Sequence, residues 1–303
     1  MLRKNPCLFN TPLSRSNEPM QDNIELQKKL RALGIQLDIE TGHLFYSEHF
    51  QPLSIHFNLI FVRHGETYGN CGQTTATGQI DLELVRSGIK DKEKCIYQGD
   101  VDTDINQLTE HGKQQALAVA EKLSSDFITK GWEPDLIFVS PLSRAKDTAL
   151  PFVQKHQFED RYVVHDGIKE MSFGSWDNRR LCDLPTEDVC HLFYRDQHAL
   201  VKNSGINGNN SHQEAESFSE LLLRARNVLL DINEKHYHKN ILMFSHSMFG
   251  AACSILLGKG QRVEHDTYLA FDGKRKDNTS YIMPNATPII LNMAHFGPKK
   301  TFS

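Results

Sequence analysis

The chain has 303 residues, of which 39% are hydrophobic and 24% charged, and this composition is typical of a globular protein that can bury a sizeable core. A formal net charge of −4 argues against a nucleic-acid-binding domain, and the apolar runs are too short to span a bilayer. The six cysteines include no C-x-x-C pair, which argues against a zinc site and favours free thiols in a cytoplasmic protein.

The N-terminal 53 residues are predicted to form an extension to the main domain. Residues 1–20 are rich in Pro, Asn and Ser and show no periodicity, so we interpret them as a mobile arm. Apolar residues at helical spacing predict a helix over 22–33 that ends at Gly34. Residues 35–50 alternate in part and contain a Thr-Gly pair, which favours a hairpin.

The main domain is predicted to cover residues 54–303 and to alternate strands with helices. Helices are predicted after Thr109 and over 218–232, where apolar residues recur at helical spacing. Three short apolar runs show no alternation, as is typical of central parallel strands that are buried on both faces. These runs lie at 59–62, 136–139 and 241–244. The expected fold class is therefore α/β, a three-layer α/β/α arrangement around a mostly parallel central sheet.

Polar segments separate these elements at two places, and both are predicted to be loops. The first covers 71–98 and the second covers 202–215, which is rich in Gly and Asn.

Reactive side chains follow each of the three apolar runs. Arg63 and His64 come directly after the first run, Arg144 closely follows the second, and His246 follows the third. In open α/β sheets, ligands bind just beyond the carboxyl ends of the strands. Guanidinium groups match the oxygens of a phosphate and stay charged. The sequence therefore predicts a phosphoryl-binding pocket that needs no metal ion or cofactor.

A phosphoryl-transfer pocket also needs a proton donor for the leaving oxygen, and such donors are usually carboxyl groups. Glu170 is the strongest candidate, because it follows a predicted strand at 161–165. Glu66 and Asp100 are weaker candidates. The alternative for Glu170 is a solvated loop carboxylate without a catalytic role.

Five sequence blocks, taken in order, resemble the signature of the histidine phosphatase superfamily, also called the phosphoglycerate mutase-like family. The resemblance spans roughly 57–294. The blocks are RHGET at 63–67 followed by Asn70, YQGD at 97–100 with LTEHG at 108–112, SPLSRAKDTA at 140–149, EMSFGSW at 170–176, and SH at 245–246. Each block alone is a weak signal, whereas five in order are a strong one.

The resemblance implies a role for each matched residue. His64 would be the nucleophile that becomes phosphohistidine, and Glu170 would protonate the leaving group and then assist water. The phosphoryl group would be bound by Arg63, Arg144, His246 and Asn70. Further contacts to the substrate are expected from Gln98, Gly99 and Ser247. The implied partner is a small phosphorylated substrate, with phosphoproteins left open, and neither nucleic acid nor membrane is expected to bind.

The sequence departs from the family pattern in ways that leave the substrate open. Ser247 stands where glycine often follows the second histidine, and 72–96 and 104–106 look like insertions. The acid block contains FG-x-W, which favours a phosphatase over a phosphomutase. Alternatives are a phosphoglycerate mutase-type phosphomutase and an inactive member that binds phosphorylated ligands. Arg179 and Arg180 are either a grip for a second anionic group or a solvated helix start.

Overall fold

The computed structural model describes residues 18–37, 44–183, 216–260, 268–269 and 283–293. The predicted loop at 202–215 and most of the predicted arm lie outside the described residues. The strands are β1 (Ile35–Leu37), β2 (Leu44–Tyr46), β3 (Asn58–Arg63), β4 (Leu136–Val139), β5 (Tyr162–Val164), β6 (Asn240–Ser245), β7 (Tyr268–Leu269) and β8 (Pro288–Asn292). The helices are α1 (Glu18–Ala32), α2 (Leu82–Ser87), α3 (Glu110–Asp126), α4 (Ser143–His156), α5 (Phe218–Lys235) and α6 (Ser247–Leu256).

The central sheet has five strands in the order β5-β4-β6-β3-β8. The first four run parallel to one another, and β8 pairs antiparallel with β3 at the edge. The three apolar runs of the sequence are the three central strands β4, β6 and β3. The predicted α/β fold class with a mostly parallel sheet is confirmed.

The helices cover both faces of this sheet. Leu59 and Phe61 of β3 pack into one core with residues of α1, α5 and α6. Ile60 and Val62 pack into a second core with residues of α3 and α4. Each of these four side chains is fully buried, which stabilises the fold by roughly 1.5–3 kcal/mol per large apolar side chain. A strand with two buried faces has no polar alternation, and this explains the pattern of the run.

Local capping signals begin the helices that the sequence predicted. Thr109 caps α3, since its hydroxyl accepts the N–H of Gly112. Ser217 and Glu220 form a reciprocal capping box at the start of α5. Helix α1 begins four residues before the predicted start, and the turn after it reaches Gly34 at φ +71. Within the described ranges, no helix has the length and apolarity needed to cross a membrane.

The described part of the N-terminal extension packs against the main domain. Strands β1 and β2 form the predicted hairpin and pair with β7 into a small antiparallel sheet. Leu30, Ile35 and Leu44 are buried in the same core as β3. The hydroxyl of Tyr46 donates to the carbonyl oxygen of Ile255 at 2.7 Å. The predicted boundary between the N-terminal extension and the main domain, at residues 53 and 54, stays a prediction. The contacts above join the extension and the main domain in one core.

The prediction of a loop over 71–98 was wrong at α2. Asp81 accepts the N–H groups of Glu83 and Leu84, and Gly88 ends the helix at φ +70. The helix has six residues and none of them is fully buried, so it is too short to show an apolar face over several turns. Caps at both ends account for a helix that a periodicity argument could not detect.

Candidate active site

The strand register brings the reactive blocks to one level at the carboxyl edge of the sheet. Arg63 of β3 lies opposite Ser245 of β6, and the last residue of β4 also lies level with the end of β6. The backbone N–H of His64, the residue after the end of β3, donates to the carbonyl oxygen of Ser245 of β6 at 3.0 Å. The rings of His64 and His246 consequently lie with their centroids 5.3 Å apart.

His64 is buried and held in one tautomer. Its Nδ1 lies 2.8 Å from the carbonyl oxygen of Gly65, which can only accept a hydrogen bond, so we assign the hydrogen to Nδ1. Burial, followed by the charges of Arg63 and Arg144, lowers the pKa of His64 well below its usual value. The imidazole is therefore neutral at physiological pH and carries its lone pair on Nε2.

Two guanidinium groups flank this histidine, and they belong to the half-buried Arg63 and the fully buried Arg144. Arg63 donates from Nη1 to the carbonyl oxygen of Met283 at 2.8 Å and from Nη2 to Asn70 Oδ1 at 3.3 Å. Arg144 donates from Nη2 to the carbonyl oxygen of Gly99 at 2.5 Å. Burial lowers the pKa of each arginine to about 10, so both stay charged at neutral pH. These hydrogen bonds to the arginines are accepted by neutral amide and carbonyl oxygens, and the charge of Glu170 acts on both guanidinium groups.

His246 completes the cluster as a hydrogen-bond donor. Its Nε2 lies 2.8 Å from Ser140 Oγ. When the Ser140 hydroxyl donates to Nε2, the hydrogen of the neutral ring lies on Nδ1. Burial, then the charges of Arg144 and the neighbouring His64, lower the pKa of His246 well below its usual value. The neutral ring thus offers one N–H group rather than a full positive charge.

Buried donors without a partner are concentrated at this site. Across the described ranges, six buried side-chain nitrogen or oxygen atoms have no hydrogen-bond partner. Four of the six belong to residues predicted to contact the substrate, namely Arg63 Nε, Arg144 Nε and His246 Nδ1 of the predicted phosphoryl site and Nε2 of Gln98, a predicted further contact. Because an unmet buried donor costs about 1–3 kcal/mol, a cluster of four is the pattern of a site built for an anion with several oxygens.

Glu170 lies inside the site and not on a solvated loop. Only 5% of the residue is exposed, which excludes the solvated alternative. Its Oε1 accepts the N–H of Met171 at 2.9 Å, and its Oε2 accepts the N–H of Met248 in the first turn of α6 at 3.1 Å. Burial raises the pKa of Glu170, and these N–H groups and the two arginines oppose the rise. A carboxyl group with a raised pKa suits a proton donor.

Glu66, the weaker candidate from the same block as His64, is held by other partners. Its Oε1 accepts the Thr109 hydroxyl at 3.0 Å, and its Oε2 pairs with Lys90 at 2.6 Å. Lys90 belongs to the predicted insertion at 72–96, whose last residue, Ile96, forms a β-bridge with Arg180, four residues after the acid block. The insertion therefore lies beside both the nucleophile block and the acid block.

Asp177 is a half-buried residue whose carboxyl group the sequence interpretation missed. Its Oδ1 accepts the N–H of Gly99 at 2.8 Å and its Oδ2 that of Phe173 at 3.1 Å. Burial, followed by the nearby charge of Asp100, raises the pKa of Asp177 to about 8. Its position directly after the FG-x-W pattern was the available signal. Asp177 links the acid block to Gly99, the glycine whose carbonyl holds Arg144.

The remaining sequence candidates are placed differently. Gln98 accepts the Thr67 hydroxyl at 2.6 Å and keeps its Nε2 unpartnered. Ser247 Oγ accepts the N–H of Met283 at 3.2 Å, so this hydroxyl stabilises the backbone. Arg180 forms two hydrogen bonds with Asp183, at 2.7 and 2.8 Å, and is not a free grip for a second anion.

Comparison with known proteins identifies the family of this fold and cluster. The sequence pattern of the histidine phosphatase superfamily (branch 1) matches residues 90–282. The chain belongs to this superfamily. The matched residues begin after the block at 63–67. That block is placed in the site by the pairing of β3 with β6. Across the described ranges, no group of three or more His, Cys, Asp or Glu side chains could hold a metal ion.

Two curated relatives of this histidine phosphatase are phosphatases. The mannitol-1-phosphatase of Eimeria tenella is 35% identical over 289 residues, which is 88% of this chain and 84% of that protein. The metal-independent phosphoserine phosphatase of Arabidopsis thaliana is 27% identical over 190 residues, which is 62% of this chain and 63% of that protein. The reaction class is therefore phosphoric monoester hydrolysis.

One solved structure to which this chain is similar is a variant of the phosphoserine phosphatase of Entamoeba histolytica in complex with phosphoserine. It shares 24% identity, covers 77% of this chain and 94% of its own, and has a TM-score of 0.43.

Proposed function

We propose that this protein hydrolyses small phosphate monoesters through a phosphohistidine at His64. The observation that supports this most strongly is the cluster of unpartnered donors on Arg63, Arg144, His246 and Gln98. Because a phosphoryl group offers several acceptor oxygens and negative charge, it satisfies these donors better than a neutral ligand would.

The first chemical step uses the neutral form of His64. The lone pair of Nε2 attacks phosphorus, the N–P bond forms, and the bond from phosphorus to the ester oxygen breaks. Glu170 gives its proton to the departing oxygen, which leaves as an alcohol. Arg63, Arg144 and the Nδ1–H of His246 stabilise the negative charge on the remaining phosphoryl oxygens.

The second step returns the enzyme to its starting state. The Glu170 carboxylate accepts a proton from water as the water oxygen attacks the phosphohistidine. The N–P bond breaks, inorganic phosphate leaves, and His64 regains its lone pair. One carboxyl group thus acts as acid and then as base.

Catalysis is expected to need no metal ion. Two guanidinium groups supply the positive charge that a metal ion supplies in other phosphatases. Activity should survive exhaustive treatment with EDTA, measured as the rate of phosphate release before and after treatment. Loss of activity that Mg²⁺ or Zn²⁺ restores would contradict this expectation.

The substrate that we propose is a phosphorylated sugar alcohol, following the relative named mannitol-1-phosphatase. With mannitol 1-phosphate the enzyme should release inorganic phosphate faster than with phosphoserine.

With 3-phosphoglycerate and trace 2,3-bisphosphoglycerate, phosphate release should exceed isomerisation, because Arg180 is paired with Asp183 and does not provide a binding group for a second anion. Faster formation of 2-phosphoglycerate would identify a mutase, and no turnover of any phosphomonoester would favour the inactive alternative.

We also propose that the protein is cytoplasmic. The four cysteines in the described ranges are free thiols, which fits a reducing compartment.

A further inference from the structure

The peptide unit between His64 and Gly65 is held by side chains at both of its polar groups. Asn285 Nδ2 donates to the carbonyl oxygen of His64 at 2.8 Å. The N–H of Gly65 donates to Thr148 Oγ1 at 2.9 Å. A peptide plane with both ends bound can no longer rotate, so the backbone that carries the imidazole has one orientation.

The next peptide unit, between Gly65 and Glu66, fixes the ring itself. Its carbonyl oxygen is the partner of His64 Nδ1 at 2.8 Å. Its N–H donates to Gln115 Oε1 at 2.7 Å. If this plane rotated, the oxygen would move away from Nδ1 and the hydrogen could transfer to Nε2. Gln115 therefore controls whether the lone pair stays on the atom that attacks phosphorus.

These side chains come from three separate elements. Gln115 lies on α3, Thr148 on α4, and Asn285 just before β8, where the N–H of the next residue also donates to the carbonyl of Arg63 at 2.9 Å. The backbone packs closely here, since a Cβ on Gly65 would lie 2.7 Å from the carbonyl oxygen of Gly112. The hydrogen-bond ladder of β3 ends at Arg63, so the segment 64–66 that follows is held by these tertiary contacts.

We propose that Gln115, Thr148 and Asn285 are positioning residues that orient His64 for attack without touching the substrate. The inference rests on the proposed function, in which His64 is the nucleophile. A displacement of about 1 Å at a reacting atom can cost roughly 100-fold in rate. Loss of one positioning contact should therefore slow phosphorylation of His64 while the phosphate-binding groups stay in place.

The main test compares matched variants in single-turnover experiments. Thr148→Val removes the acceptor for Gly65 N–H, whereas Thr148→Ser keeps it. Phosphorylation of His64 should slow about 10- to 100-fold in Thr148→Val and stay within about threefold in Thr148→Ser. Gln115→Met and Gln115→Glu form a second pair at a half-buried site, where Glu keeps the accepting oxygen. The affinity for inorganic phosphate, which forms no bond to His64, should stay within about threefold in all four variants, because Arg63, Arg144 and His246 are unchanged.

The second readout is the tautomer of His64, observed by ¹⁵N NMR. The wild type should show hydrogen on Nδ1, and Gln115→Met should show a mixture of the two tautomers. Thr129→Val is the control, because it removes a hydroxyl that donates to the Ser125 carbonyl at 2.7 Å on an exposed turn. It should leave both readouts unchanged.

The outcomes separate the inference from the proposed function. Equal slowing in Thr148→Val and Thr148→Ser, or slowing that follows lost affinity for inorganic phosphate, would overturn the positioning role. Wild-type phosphorylation rates and the wild-type tautomer in Thr148→Val and Gln115→Met would also overturn it. If the wild type itself forms no phosphohistidine at His64, the proposed function fails instead.

Discussion

Replacing His64 with Ala is expected to reduce turnover of every phosphomonoester by roughly 10⁴-fold or more, since the residue carries the covalent step. Acid-quenched labelling of the wild type should trap an acid-labile, base-stable phosphoenzyme. His64→Ala should give no such label. Burial and the two neighbouring arginines lower the pKa of His64, so the wild-type nucleophile should stay active well below pH 6.5.

The control for this variant is His49→Ala, because the His49 side chain is 84% exposed. It should retain wild-type turnover and labelling. Label on serine or cysteine in the wild type, or substantial turnover by His64→Ala, would show that another residue is the nucleophile. Binding of inorganic phosphate to His64→Ala should remain measurable, because Arg63, Arg144 and His246 are unchanged.

Replacing Glu170 with Gln is expected to lower kcat by about 10²- to 10⁴-fold on an alkyl phosphate such as mannitol 1-phosphate. The amide has no proton that it can give to the leaving alcohol. p-Nitrophenyl phosphate should lose far less in the phosphorylation step, because nitrophenolate leaves without protonation. The measurement is the single-turnover rate on both substrates. Equal losses on the two would assign Glu170 a structural role at the start of α6.

The pH dependence of the same step follows from the direction of the pKa shift. Burial raises the pKa of Glu170, so the protonated acid persists to a higher pH than in an ordinary glutamic acid. The single-turnover rate on the alkyl phosphate should be lost as the pH rises through that raised pKa. In Glu170→Gln, the single-turnover rate should not show this decline at high pH. If Asp177 were the acid instead, the decline of the rate at high pH would remain in Glu170→Gln and disappear in Asp177→Asn.

The melting temperature should be measured for each carboxyl variant. An amide at residue 170 would place an NH₂ group against one of the N–H donors of Met171 or Met248, and Asp177→Asn would do the same at Gly99 or Phe173. Each of these variants should lose stability, because one buried donor loses its acceptor. The leaving-group and pH readouts separate catalysis from this cost.

Much of the fold could be predicted from local signals. A run such as 59–62 with no polar alternation requires two buried faces, and hence a central strand between helices. Thr109 and Ser217 mark helix starts because their hydroxyls satisfy N–H groups within the same turn. Helix α2 was missed, since it is short and capped at both ends and no fully buried face marks it in the sequence.

The sequence by itself determined the reactive set, because Arg63, His64, Arg144 and His246 each follow a buried run and parallel strands end at a common edge. The order of the blocks then determined the family. Only the tertiary structure decided how this set works. Whether a histidine is neutral depends on burial and nearby charge, which a linear pattern does not contain.

The same reason applies to the residues that orient the nucleophile. Gln115, Thr148 and Asn285 lie 49, 83 and 221 residues from the groups that they bind. Their residue types are ordinary, and no local spacing connects them to His64. They meet because α3, α4 and the strand β8 pack around the end of β3. A contact set by the packing of whole elements is visible only after the chain has folded.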